Sequence, residues 1–229
     1  MSAFIGVLSL DTRFPRIVGD AGHPDSYHMP ARIRVIKGAG STEIVRDGRP
    51  IPELVLSFRQ AAEELVAEGA CLITSTCGFL ISVQKDIAEG LTVPVCMSGL
   101  CLLPSVRQMM GKAPIGVLTA SATSLGYGAI RAASVSPDDV RIGGLEDSAL
   151  FAETFLSRKD EQRETFERDT MEAEVVEGGL DLVRRSPEIA AIVLECGNLP
   201  PYADAIRKAT GRPVFSILDA ARLIGPLAF

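Results

Sequence analysis

The sequence predicts an α/β protein of two similar lobes, each a mostly parallel sheet flanked by helices, the pair related by pseudo-twofold symmetry. Two sequence matches and one rhythm carry this reading. Cys77 follows the run CLITSTCGF at 71–79, and Cys196 follows IVLECGN at 192–198, 119 positions later; Pro94-Val95 and Pro213-Val214 keep the same interval. The string IGVL stands at 5–8 and again at 115–118, an interval of 110, so the second copy holds nine extra residues ahead of its cysteine. Between these markers, short β-branched runs alternate with amphipathic stretches, the pattern of parallel sheets covered by helices. A chain of 229 residues can bury two cores of about 110 residues each. We assign 1–112 plus 216–229 to a first lobe carrying Cys77, and 113–215 to a second carrying Cys196.

The elements follow in order. IGVLSL at 5–10 is continuous, apolar and β-branched, a buried strand. A loop then runs through Arg13, Pro15, Gly19, Asp20, Gly22, Pro24 and Asp25 to Pro30; loops of this length commonly serve as lids or binding segments. ARIRVI at 31–36 is a second strand. Between Pro50 and Gly69, Leu54, Val55, Phe58, Ala61, Ala62, Leu65 and Val66 keep one apolar helical face, and Gly69 stops it. A strand at 70–75, a helix at about 79–89, a strand at 92–96 and a helix at about 99–110 complete the half. MMGKAP at 109–114 is the linker. The second half repeats the rhythm: strand 114–119, helix from about 122 to 132, a charged segment, one long helix over 160–185, strand 190–195, helix 199–209 ended by Gly211, strand 213–216 and a last helix at 217–224.

Composition narrows the function. The chain is 47% hydrophobic but only 5% aromatic, so Val, Ile, Leu and Ala must build the interior. Net charge is −6, and no Lys/Arg run is interleaved with aromatics, which argues against nucleic acid as a partner. The longest apolar stretch, 91–106, is broken by Pro94, Gly99 and Pro104 and falls short of the ~20 residues of a membrane span. MSAFIGVLSLD lacks the basic and apolar regions of a secretory leader. The expected location is therefore the cytoplasm, where five cysteines remain thiols. The apolar 97–110 helix leaves homo-oligomerisation open beside packing between lobes.

In parallel α/β folds, ligands bind beyond the carboxyl ends of the strands. Three polar segments collect there: Thr74–Gly78, Thr119–Thr123 and Glu195–Asn198. A thiol at the first turn of a helix meets unpaired N–H groups and the positive end of the dipole, and both favour the thiolate. Gly78 and Gly197 directly follow the two thiols, and without a Cβ they allow an anion close to backbone N–H groups. Two opposed thiols can remove a proton α to a carboxylate or carbonyl on one face and return it on the other, with no metal or cofactor. Cys71, Cys96 and Cys101 read as small buried hydrophobes. The 119–123 hydroxyls serve equally well as a helix N-cap. Arg13 and Asp20 are candidates either to clamp a substrate or to pin the loop. His23 and His28 could reach the cleft from the lid, or stand in solvent as loop histidines usually do.

STCGF, ECGNLPPYADAI, IGVLSLD and GVLTASAT resemble the aspartate/glutamate/hydantoin racemase superfamily over 5–225. The resemblance implies an isomerase with no cofactor and two facing catalytic cysteines, Cys77 and Cys196. It also implies that the loops holding Ser9, Asp11, Thr76, Gly78, Thr119, Ser121, Thr123, Gly197 and Asn198 bind a small carboxylate or carbonyl substrate such as an amino acid or hydantoin. Glutamate racemases follow the first cysteine with Asn-Thr and the second with Thr-His, where this chain has Gly78-Phe79 and Gly197-Asn198. Phe79 and Leu199 suit a less polar substrate than glutamate. Two alternatives stand beside racemisation. One is a decarboxylase or cis–trans isomerase of the same fold using one cysteine, with a malonate- or maleate-type substrate. The other is a non-enzymatic binder of small acids. Glu195 raises the thiol pKa of Cys196 if it points into the site and is neutral if it points away.

Overall fold

The computed structural model describes residues 3–225. Residues 1–2 and 226–229, which the lobe assignment includes, lie outside it. Two four-stranded parallel sheets form, and their topologies are identical. The first has the order β2-β1-β3-β4, with β1 Phe4–Leu10, β2 Ala31–Ile36, β3 Ala70–Ser75 and β4 Val95–Cys96. The second has the order β6-β5-β7-β8, with β5 Ile115–Thr119, β6 Val140–Gly144, β7 Ala191–Leu194 and β8 Val214–Phe215. All seven residues of β1 and all five of β5 are buried, as continuous apolar strands covered on both faces must be.

The repeat extends to single hydrogen bonds. Ile73 N donates to Pro94 O, and Ile192 N to Pro213 O; Leu80 N donates to Cys77 O, and Leu199 N to Cys196 O. Each partner in the second pair stands 119 residues after its counterpart, the interval of the cysteines. The glycines of the two IGVL strings also match. A Cβ on Gly6 would meet Ile73 and Leu65, and one on Gly116 would meet Ile189 and Leu182. In both lobes the central strand lets its covering helix sit close.

The helices are α1 Ser41–Ile44, α2 Pro52–Ala67, α3 Gln84–Ala88, α4 Leu103–Met109, α5 Tyr127–Ala132, α6 Ala149–Phe151, α7 Arg168–Arg185, α8 Ala203–Thr210 and α9 Ile217–Ile224. Several are shorter than the apolar pattern predicts. The 79–89 and 99–110 helices each open with a 3-10 segment, Gly78–Val83 and Gly99–Leu102. Pro104 has no N–H to bond Leu100 O, so α4 starts only at Leu103. The predicted 160–185 helix begins at Arg168 because 158–167 carries no apolar face for a helix to bury. The predicted 122–132 helix begins at Tyr127, and its first residues form a turn. The charged segment after it conceals strand β6, the short α6 and a π-helical turn, Ala152–Leu156. The last helix, α9, buries Ile217, Ala220 and Ala221, and packs against β3, β4 and the 3-10 segment at Gly99–Leu102. Among the described residues, no helix is long and apolar enough to cross a membrane.

Candidate active site

Cys77 caps the helical segment after β3, and Cys196 stands in the matching place after β7. Both line one cavity between the sheets, with Thr76, Phe79, Glu195, Asn198, Leu10, Ala120, Phe14, Arg16, Ser41, Val45, Phe155 and Leu156. The two loops interlock. A Cβ on Gly78 would lie 2.2 Å from Glu195 O, and a Cβ on Gly197 would lie 2.4 Å from Thr76 O. The glycine after each thiol therefore packs on the residue before the other thiol. The sequence reading gives these glycines to an approaching anion; the structure shows opposing backbone against their open faces.

The cavity is closed. About 20 Å³ is open within it, room for about one water and for no organic acid. Its cover is the 12–30 loop, the π-helical turn and the α1 segment. Ala21 N donates to Gly197 O at 2.9 Å, and Asn198 Nδ2 donates to Asp20 Oδ2 at 2.7 Å. Gly19, at φ +101°, lies so near Pro201 that a Cβ would sit 2.9 Å from its Cα. Arg16 pairs with Asp20 at 2.9 Å, bonds Thr12 Oγ1 at 3.2 Å and lies over the Phe14 ring at 4.4 Å. Its guanidinium is the positive group on the cavity wall.

Burial pushes both thiols above the ordinary range, and the nearby Glu195 pushes them further. Their surroundings then diverge. The Phe79 N–H and Arg16 favour the Cys77 thiolate. Asn198 N–H does the same for Cys196, but Asp20 opposes ionisation there, and the Cys196 thiol lies 3.4 Å from Asn198 Oδ1. Glu195 points inward. It is 1% exposed, accepts from Thr119 Oγ1 at 2.7 Å through Oε2, and leaves Oε1 without a hydrogen-bond partner. Burial raises its carboxyl to about 7, against the opposing pull of the Thr119 hydroxyl and Ala120 N–H. The matching residue in the first lobe is Thr76, whose hydroxyl accepts from Leu10 N at 3.1 Å.

Of the residues singled out in the sequence, Cys77, Cys196, Thr76 and Asn198 line the cavity, and Thr119, Gly78 and Gly197 hold its walls. Four stand apart. Ser9 is buried with its hydroxyl on Leu10 O. Asp11 binds Lys159 Nζ and Gly38 N beside an open hollow of about 500 Å³. Ser121 and Thr123 belong to the turn before α5, where Ser121 Oγ accepts from Ser124 N, and Glu146 accepts from the Ala122 and Thr123 N–H groups. Arg13 faces Glu164 rather than the cavity, Asp20 pins the loop, and His23 Nδ1 accepts from Asp25 N in the exposed turn at 24–26. The charged cavity-lining residue that sequence reasoning misses is Arg16; its place four before Asp20 is its one local sign. Among the described residues no group of three or more His, Cys, Asp or Glu could hold a metal ion.

No family model matches the chain. Over 226 residues it is 33% identical to a dimethylsulfoniopropionate lyase of Durusdinium sp. clade D, covering 96% of this chain and 73% of that protein. The chain belongs to the dimethylsulfoniopropionate lyase family. Dimethylsulfoniopropionate lyase 3 of Emiliania huxleyi is 32% identical over 221 residues; these are 92% of this chain but only 56% of that longer protein. Among solved structures, unliganded arylmalonate decarboxylase superposes with a TM-score of 0.60 at 16% identity, over 99% of this chain and 95% of that one. Allantoin racemase from Klebsiella pneumoniae gives 0.61 at 14%, over 100% and 91%. These neighbours share the two-lobe α/β fold, the fold that the resemblance in the cysteine loops implies. The lyase family makes the chain an enzyme. Its sequence relatives here carry lyase names, whereas racemases occur among the structural neighbours.

Proposed function

We propose that this enzyme cleaves a zwitterionic sulfonio-carboxylate of the dimethylsulfoniopropionate type by β-elimination. A thiolate removes the proton on the carbon next to the carboxylate. The electron pair then forms the C=C bond, and the C–S bond breaks toward sulfur. Neutral dimethyl sulfide and acrylate leave, with one proton released to solvent. This is proton abstraction α to a carboxylate, the first step of racemisation, with a leaving group on the next carbon.

The observation that carries the reading is the polarity of the cavity. Arg16 lines the cavity beside its partner Asp20, and in this reading its guanidinium holds the substrate carboxylate and stabilises the charge that moves onto it as the proton departs. Phe14, Phe79 and Phe155 offer aromatic surface for a compact, weakly hydrated cation such as a sulfonium. That cation also favours the thiolate it meets. We assign the base to Cys77, because Arg16 favours its ionisation while the Asn198 side-chain oxygen and Asp20 hold Cys196 as a thiol. Racemisation of an amino acid or hydantoin is the second reading, favoured by the matched placement of the two thiols across one cavity.

Incubation with dimethylsulfoniopropionate in D₂O separates the two. Elimination is read as dimethyl sulfide in the headspace and acrylate by NMR. Racemisation is read as Cα–H exchange and loss of optical activity in amino acids or hydantoins. The elimination reading expects Cys77→Ser to lose at least a hundredfold in rate, with Cys71→Ser and Cys101→Ser near wild type. Exchange on amino acids with no dimethyl sulfide would discard elimination.

A further inference from the structure

We propose that Glu195 is the proton acceptor that turns Cys77 into a thiolate, so that the reacting set is a carboxylate and a thiol drawn from opposite lobes. The inference rests on the thiolate reading above but not on the identity of the substrate. Three observations point to it. Glu195 lines the same cavity as both cysteines and is almost fully buried, yet Oε1 has no hydrogen-bond partner. An orphaned buried carboxylate oxygen is costly unless something uses it. Oε1 also lies against Gly78, the residue directly after Cys77: a Cβ there would come within 2.4 Å of it. The glycine thus opens space beside the carboxylate at the thiol of the other lobe. Finally, the repeat is broken here. Thr76 fills the matching position with a neutral hydroxyl, so only one lobe supplies a carboxylate beside its thiol.

The surroundings suit the role. From the loops come the Cys77 and Cys196 thiols, and from the covering segment Arg16 and Asp20; β5 and the turn after β4 contribute the Thr119 and Ser98 hydroxyls. Thr119 Oγ1 anchors Oε2, the Ala120 N–H favours the carboxylate, and Oε1 is left without a partner. With its carboxyl raised to about 7, Glu195 changes charge where the cysteines, held well above their usual range, do not. The steps balance. Glu195 takes the Cys77 proton, and the thiolate takes the substrate's α-proton and becomes a thiol again. Glu195 releases its proton to solvent when the cover opens, which accounts for the one proton that elimination sets free.

The test reads the thiol directly. Cys77 alkylation by iodoacetamide is followed by peptide mass spectrometry from pH 5 to 10 in the full chain, beside the pH profile of kcat/KM. Wild type is expected to show a step near pH 7 in both. Glu195→Gln should lose that step in both and alkylate Cys77 at least tenfold more slowly at pH 7.5. Thr119→Val, which removes only the hydroxyl bond to Oε2, should keep the step and move it upward. An unchanged alkylation step in Glu195→Gln overturns the proposal. Should that variant fail to fold, an unmoved step in Thr119→Val overturns it equally. A wild-type protein with the alkylation step but no dimethyl sulfide would refute the elimination reading and leave this one standing.

Discussion

At the scale of single residues, Glu195 and the two loop glycines set what the site costs the fold. A carboxyl raised from 4.5 in the open chain to about 7 in the fold binds a proton over a range where the unfolded chain has lost it. Stability from this group is complete below about pH 4.5, falls between there and pH 7, and is level above. The loss is on the order of 3 kcal/mol for a fully buried group. Thermal unfolding should therefore show a midpoint that declines from pH 5 to pH 7.5 in wild type and stays nearly flat in Glu195→Gln over the same range. Equal slopes would mean that Glu195 titrates normally. Gly78 makes a different demand. Gly78→Ala places a methyl against Glu195 backbone, which cannot rotate away, and should cost about 1–3 kcal/mol or more. Gly128 lies inside α5 with nothing within 4 Å of a notional Cβ, so Gly128→Ala should gain about 0.5–1 kcal/mol. Denaturant melts of the pair decide whether interlock or mere glycine content matters.

At the scale of elements, the cover matters more than the sheets. Gln162 ties its three parts together. Its Oε1 accepts from Arg13 N at 2.9 Å, and its Nε2 donates to Ser41 Oγ and to Ser157 O, both at 3.1 Å. These bonds join the 12–30 loop, α1 and the end of the π-helical turn, all of which must part before a substrate enters a cavity of about 20 Å³. Gln162→Leu keeps the bulk and drops all three, a local loss of roughly 2–4 kcal/mol. Tryptic cutting at Arg13 and Lys159 should quicken by more than tenfold, with the thermal midpoint nearly unchanged; equal cutting rates would show that Gln162 does not hold the cover. The sequence announces little of this. The strands and α2 were legible because burial writes a local period into the chain, and the cysteine loops were legible because the repeat marks them twice. Gln162 sits in RKDEQRETFER, where charge reads as a wet helical face, and its partners lie 149, 121 and 5 residues away. Arg16 is hidden for the same reason, since only the folded loop brings it to the cavity that the thiols line. Asp11, Ser121 and Thr123 stand at strand ends, the place where ligands bind in such folds, but a surface ion pair and a turn cap use them instead.

At the scale of the whole molecule, a repeated lobe has been bent to an unequal task. The two sheets share an order and a hydrogen-bond register, so they present a thiol to the shared cavity from either side. A symmetric site would treat both faces of a bound carbon alike. This one does not: Arg16 favours the Cys77 thiolate, the Asn198 side-chain oxygen accepts from the Cys196 thiol, and Glu195 has Thr76 as its counterpart. The asymmetry has a stereochemical consequence. A substrate whose carboxylate is fixed at Arg16 turns one of its two α-hydrogens toward Cys77 and the other toward Cys196. Elimination through Cys77 alone should remove only the first. Dimethylsulfoniopropionate carrying one deuterium at the α-carbon, prepared as separate mirror-image forms, tests this by mass analysis of the acrylate. One form should yield acrylate that has lost its deuterium, with a slower turnover. The other should yield acrylate that keeps it, at the ordinary rate. Equal partition of the label from both forms would mean that either thiol serves as the base, restoring the symmetric pair that racemisation needs.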